Sequence, residues 1–171
     1  MLPKPPLKLV STVVALVFLS GTVAYAASPS TLPTSPFYPL KRAWEGLTVA
    51  FAMTPDAKAQ ALIDLANARL AEAKTLAAQA KTDPSVKSAV AQTVKDSQSS
   101  LSLALDNAKK IEDATKRKET LDEISKEADD NKQEIENEVE KEAELENGDK
   151  TDVEHSKEEL SKTGSDAKSS D

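Results

Sequence analysis

The sequence predicts an all-α protein: a short aromatic helix, an Ala-rich antiparallel helical hairpin, a long acidic helical extension and a disordered C-terminal tail. Apolar residues recur at spacings of three and four, which is the period of one helix face. Capping residues followed by proline mark two helix starts. No aromatic residue follows Phe51 in the remaining 120 residues, which are rich in Ala, Lys, Glu and Ser.

Residues 1–26 have the three-part composition of a secretory signal. Lys4 and Lys8 are the positive charges, residues 7–23 form an apolar run of 17 residues, and Ala24 and Ala26 provide a small-x-small cleavage site. We expect cleavage after Ala26. The alternative is an uncleaved anchor, although 17 residues is short for a hydrocarbon core of ~30 Å.

The aromatic helix is predicted to follow a flexible linker, residues 27–36, which is rich in Pro, Ser and Thr. Pro39 suits the first turn, where a missing N–H costs nothing. The apolar residues with helical spacing are Leu40, Trp44, Leu47 and Phe51. We expect a structural aromatic cluster that supplies apolar area to the hairpin, formed by Phe37, Tyr38, Trp44 and Phe51. The competing interpretation is an exposed aromatic patch for a sugar or a lipid.

The hairpin is predicted from two capped helix starts. Thr54 and Pro55 begin its first helix, and Asp83 and Pro84 begin its second. The seam of the first helix is mostly alanine, which lets a partner helix approach closely. With the aromatic helix, the hairpin makes up a predicted helical domain of residues 37–118.

The remaining chain divides into an acidic helical extension, residues 119–146, and a disordered tail, residues 147–171. Whether residues 84–146 form one helix or two is left open, with residues 96–100 (DSQSS) as the weakest helical stretch. Asn147 and Gly148 are typical of a helix end. The tail is low in apolar residues, which predicts disorder.

Composition excludes several kinds of site. The chain has no Cys and a single His, so it lacks disulfides and the usual transition-metal ligand sets. Residues 27–118 carry 13 basic and 9 acidic side chains (net +4), whereas residues 119–171 carry 7 and 20 (net −13). Such an acidic half argues against nucleic acid. The carboxylates lie in runs typical of solvated helix faces, so we predict no enzyme activity, no cofactor and at most weak screening by divalent cations.

Two segments resemble an uncharacterised family of exported bacterial proteins that is catalogued only as a domain of unknown function. The resemblance covers residues 33 to about 80. Its first motif uses Ser35, Tyr38, Lys41, Arg42 and Glu45; its second uses Pro55, Leu65, Ala66, Arg69, Leu70 and Glu72. Thr34 stands where the family usually has Gly. The resemblance implies an extracytoplasmic helical domain with no assigned activity.

Two functions remain. The first is a non-enzymatic exported protein of the cell envelope, acting as a spacer or a protein-binding module with an unknown protein partner. The alternative is a membrane-associated helical protein, held by an uncleaved N-terminal helix or by its aromatic face. The expected location is periplasmic, cell-wall-associated or extracellular, with membrane anchoring if the signal stays uncleaved.

Overall fold

The structure is a computed structural model, and it describes residues 31–170. The all-α prediction is confirmed, since this described part contains helices and no strand. The predicted signal, residues 1–26, lies outside it. No helix within residues 31–170 is both long and apolar enough to cross a membrane. In chain order the elements are α1 (Tyr38–Phe51), α2 (Pro55–Ala80), a 3₁₀ turn (Pro84–Val86), α3 (Lys87–Ala108), α4 (Ala114–Glu134), a π-helical turn (Ile135–Val139), α5 (Glu140–Ala143) and α6 (Asn147–Ser169).

The predicted helix starts are confirmed. Thr54 Oγ1 accepts a hydrogen bond of 3.4 Å from the backbone N–H of Ala57, and Pro55 opens α2. Asp83 Oδ1 accepts one of 3.0 Å from the N–H of Ser85, ahead of the 3₁₀ turn that leads into α3. Both caps satisfy N–H groups that have no partner inside the helix.

Helices α2 and α3 form the predicted hairpin. The alanines of the α2 seam are buried, and the α3 face opposite them, which includes Val90, Val94 and Leu101, is also buried. Small side chains on one helix let the larger aliphatic ones of its neighbour fill the space between them. This hairpin is the platform on which the other helices pack.

The chain after Pro84 forms separate helices, and the break lies at residues 109–113 rather than at the expected stretch 96–100. The serines of that stretch sit inside α3, where Ser97 Oγ donates to the Ala66 carbonyl at 2.8 Å and Ser100 Oγ to the Asp96 carbonyl at 2.9 Å. Their hydroxyl groups are therefore satisfied within the helical bundle. Asp113 caps α4 by accepting from the N–H of Lys116 at 2.9 Å.

The acidic segment is helical as predicted, but it packs along the hairpin instead of extending from it. Leu121, Ile124 and Ile135 are buried in the same core as the hairpin residues. Lys74 on α2 pairs with Glu134 at 3.2 Å and Glu138 at 2.9 Å. Basic side chains of the hairpin thus offset the like-charged glutamates. The predicted boundary at residue 118 falls inside α4.

The predicted disordered tail is wrong. Most of residues 147–171 form α6, which packs against α3 and α4 and buries Val153, Leu160 and Ala167. These three residues are seven apart, so a thin apolar seam is enough to dock an otherwise polar helix. Gly148 lies in the first turn of α6. The interruption comes earlier, at Glu144, whose φ of 46° is left-handed.

The last part of the predicted linker is folded. Thr31 is buried, Leu32 packs against the core, and the N–H of Ser35 donates to the Leu32 carbonyl at 2.8 Å. This short turn leads directly into α1.

Candidate functional site

The inward face of α1 is mainly polar, with Val49 as a partly buried apolar residue packed against the core. Tyr38, Lys41 and Glu45 point from α1 towards α2, where they meet Arg69 and Glu72. We call these five residues the charge cluster. Spacings of three and four place the α1 members on one side of the helix, and a spacing of three does the same for the α2 members.

Glu72 is the centre of the charge cluster. Its two carboxylate oxygens accept hydrogen bonds from Arg69 Nη1 at 2.8 and 2.9 Å. The Tyr38 hydroxyl donates to Oε2 at 3.0 Å, and Lys41 Nζ donates to Oε1. Arg69 Nη2 also pairs with Glu45, so each charge of the cluster faces an opposite charge.

The centre of the charge cluster is buried, whereas Tyr38 and Glu45 at its edge are partly exposed. Arg69 is 0% exposed and Glu72 2% exposed, and Lys41 is buried as well. Its two cations balance its two anions, so the cluster is neutral as a whole. Buried ions persist only when they are paired and hydrogen-bonded, because each one loses its hydration.

Tyr38 behaves as a fixed donor. Burial raises the pKa of its phenol well above the ordinary value; the Arg69 charge opposes this rise, and the Glu72 carboxylate adds to it. The Arg69 guanidinium carbon also lies 5.4 Å from the centre of the Tyr38 ring, within cation–π range. The protonated phenol therefore donates to Glu72 and does not act as a base.

Arg69 stays charged despite its burial. Burial favours the neutral form, but the hydrogen bond that Arg69 donates to Glu45 and the Glu72 charge outweigh it and raise the pKa of Arg69. Its Nε is a buried donor for which residues 31–170 provide no hydrogen-bond partner. A second pair lies outside the cluster, where Arg42 Nη1 contacts Asp96 Oδ2 at 2.8 Å and links α1 to α3.

The charge cluster joins α1 to the hairpin. Its acidic groups are occupied by cations or by the phenol, and burial limits access to them. Among residues 31–170, no three or more acidic or histidine side chains are placed to hold a metal ion. The direct role of the cluster is to fix α1 on the hairpin in one rotation about the helix axis.

The outward face of α1 is apolar and exposed. Trp44 is 51% exposed and Phe51 74% exposed, with Leu40 and Leu47 beside them; these four residues are the outward face. Trp44, Phe51 and Phe37 therefore do not supply the hairpin core as predicted, and Tyr38 alone of the predicted aromatic cluster turns inward. The prediction of a helix with this apolar spacing is correct, but the predicted orientation of its apolar face, towards the hairpin, is wrong.

A groove adjoins the outward face. It lies between α1 and the first turns of α2, has a volume of about 480 Å³, and is lined mainly by Trp44, Leu47, Phe51 and alanines of α2. The outward face thus continues across the gap between the two helices as one apolar surface.

The predicted site residues did not include Lys41, Glu45, Arg69 or Glu72. The sequence of α2 does contain an indication of the cluster, because Arg69 and Glu72 interrupt its buried apolar seam next to Leu70 and Ala73. A charged pair on an apolar seam indicates that another element must bring counter-charges. The residues that carried the family resemblance on α1 and α2 include all five members of the cluster.

Comparison with known proteins supports that resemblance. The model of one family, described as a domain of unknown function (DUF5667), matches residues 30–163, which is most of the chain and extends well beyond the two motifs. No curated protein and no solved structure matches. Because this match covers most of the chain, the chain belongs to the DUF5667 family.

Proposed function

We propose that the protein is an exported, non-enzymatic helical module of the cell envelope that attaches to an apolar surface through the outward face of α1. The observation that carries this proposal is the inverted polarity of α1. Lys41 and Glu45 point into the protein, and the large apolar side chains of α1 point into solvent. A helix that served only the protein core would have the opposite arrangement.

The outward face offers enough area for attachment. At ~150–250 Å² per aromatic side chain, the exposed parts of Trp44 and Phe51 amount to roughly 250 Å². Burial of that area is worth about 6 kcal/mol at 25 cal/mol per Å², before the cost of association is subtracted. Exposed apolar patches of several hundred Å² mark interaction sites in soluble proteins.

Attachment fits the bundle better than a spacer role does. Helices α4 and α6 fold back along the hairpin, so the acidic part adds little length. The export part of the proposal depends on the composition of residues 1–26. The intact mass of the exported protein tests it: a chain that begins at Ala27 supports cleavage, and a full-length mass supports the anchored alternative.

Cell fractionation tests the attachment. We expect the wild-type protein in the envelope fraction and the double variant Trp44→Ser/Phe51→Ser in the soluble fraction. Leu103→Ser is the matched control, because Leu103 is 52% exposed on α3, outside the outward face. A double variant that stays in the envelope fraction with an unchanged amount of protein would refute attachment through α1.

A further inference from the structure

We propose that the apolar surface bound by the outward face is the lipid–water interface of a membrane, with α1 lying parallel to the bilayer. This inference rests on the proposed function and names the surface that the face contacts. It has three supports: the position of α1 in the chain, the chemistry of its face, and the charge of the rest of the protein.

The chain holds α1 close to the membrane that exports it. The apolar run, residues 7–23, is followed by only seven residues before Thr31. Thr31 is fixed to α1, because its carbonyl accepts a hydrogen bond of 3.2 Å from Lys41 Nζ. Seven residues span at most about 25 Å when fully extended. Before cleavage, while residues 7–23 are in the membrane, Thr31 and the part of α1 around Lys41 therefore stay near the bilayer surface.

The outward face has the chemistry of an interfacial helix. The charged residues of α1 are Lys41, Arg42 and Glu45, and each pairs with a residue of α2 or α3. The opposite side presents Trp44 between leucines and Phe51, and Trp prefers the headgroup region. The 14 residues of α1 extend about 21 Å, which suits a helix in the plane of the interface rather than across it.

Charge selects the type of lipid. Interfacial helices commonly use lysines and arginines on their polar face to bind anionic headgroups. In α1 that polar face is already occupied by the charge cluster, and residues 119–171 carry a net charge of −13. Binding must then come from apolar burial. We expect zwitterionic phosphatidylcholine to bind at least as well as anionic lipid, with little dependence on salt.

Trp44 reports directly on this contact, because it is the single tryptophan of the chain. The full chain is mixed with phosphatidylcholine vesicles, with and without bromine-labelled acyl chains, and Trp44 emission is recorded. We expect a blue shift on vesicle binding and quenching by the brominated lipid. Because quenching reports on Trp44 itself, membrane insertion of residues 7–23 alone does not produce this signal.

Variants that keep Trp44 make the test specific. Phe51→Ser should weaken the lipid-dependent Trp44 signal by at least about tenfold, since it removes one exposed aromatic ring from the face. Leu103→Ser should leave it unchanged. Far-UV circular dichroism checks that both variants keep the helical content of the wild type.

Other outcomes overturn the membrane assignment. Vesicle binding without quenching of Trp44 would show that α1 does not touch lipid. A different outcome is a blue shift that appears without vesicles, depends on protein concentration and resists quenching by brominated lipid. That result would show that a second copy of the chain covers the outward face. That second result would leave the outward face as an attachment surface, so it would refute the lipid and keep the proposed function.

Discussion

Glu72→Leu should destabilise the fold more than any other single change in the charge cluster. Glu72 accepts hydrogen bonds from Arg69, Lys41 and Tyr38, and it is 2% exposed. Without it, two buried cations share one anion, Glu45, whose Oε1 is 4.0 Å from Lys41 Nζ. Removal of one partner from a buried ion pair costs about 3–5 kcal/mol, because the remaining charge stays desolvated. Tyr38 is only partly buried, so the loss of its hydrogen bond adds little to this cost. We expect about 4 kcal/mol, a large part of the 5–15 kcal/mol typical of a domain.

A second variant separates burial from pairing. Arg69→Met/Glu72→Leu removes one cation and one anion together, and it leaves Lys41 and Glu45 as a neutral pair. Apolar replacement of both partners is often close to neutral. The double variant should therefore be more stable than Glu72→Leu, although it carries one substitution more.

Equilibrium urea unfolding followed by far-UV circular dichroism measures these differences. Arg42→Ala is the control. Arg42 lies on the same helix as Lys41 and Glu45, but it belongs to an exposed pair with Asp96 of α3, so its loss should cost less than about 1 kcal/mol. If Glu72→Leu costs no more than Arg42→Ala, or if the double variant is the least stable of the three, the cluster is not a buried, mutually dependent unit.

Three further changes test other parts of the structure. The pKa of Tyr38 is raised above its ordinary 10.0, so its share of stability is complete below pH 10 and is lost as the pH rises further; Tyr38→Phe should remove that part of the alkaline loss in urea unfolding, and an unchanged profile would contradict it. Trp44→Ala should change the free energy of unfolding by less than about 1 kcal/mol, because Trp44 is half-exposed; a loss of 3 kcal/mol or more in the same assay would place it in the core. Leu160→Ala should cost about 2–5 kcal/mol and Glu158→Ala close to nothing; equal melting temperatures would mean that α6 is not docked.

Much of the fold could be predicted because its signals are local. Thr54 and Asp83 satisfy N–H groups of their own helix starts, so neighbouring residues are enough to identify them. The alanine seam of α2 likewise shows its period within one helix. These features depend on the chain within a few residues, which is the range that pattern reading covers.

The structural predictions that failed concern contacts between segments that are distant in the sequence. The seam of α6 has one apolar residue per two turns, at Val153, Leu160 and Ala167, and its stability comes from the α3 and α4 surfaces that it covers. Helix propensity and composition do not include that burial. The break at residues 109–113 has the same origin, since Ile111 is buried there and Arg117 Nη1 donates to its carbonyl at 2.8 Å.

The rotation of α1 follows from a competition between two faces. A turn of the helix by roughly 100°, at 100° per residue, would place Trp44 and Phe51 on the hairpin. That turn would gain about 6 kcal/mol of apolar burial by the area estimate above. It would also take Lys41 and Glu45 away from Glu72 and Arg69.

Loss of those contacts leaves Arg69 and Glu72 with only each other inside the protein, at a cost of several kcal/mol. The two rotations are therefore close in free energy for the isolated chain, and the charge cluster is the specific element that selects the observed one. An apolar surface bound to the outward face adds its burial energy to this rotation alone. The proposed attachment and the charge cluster thus favour the same orientation of α1, with Lys41 and Glu45 turned inward and Trp44 and Phe51 exposed.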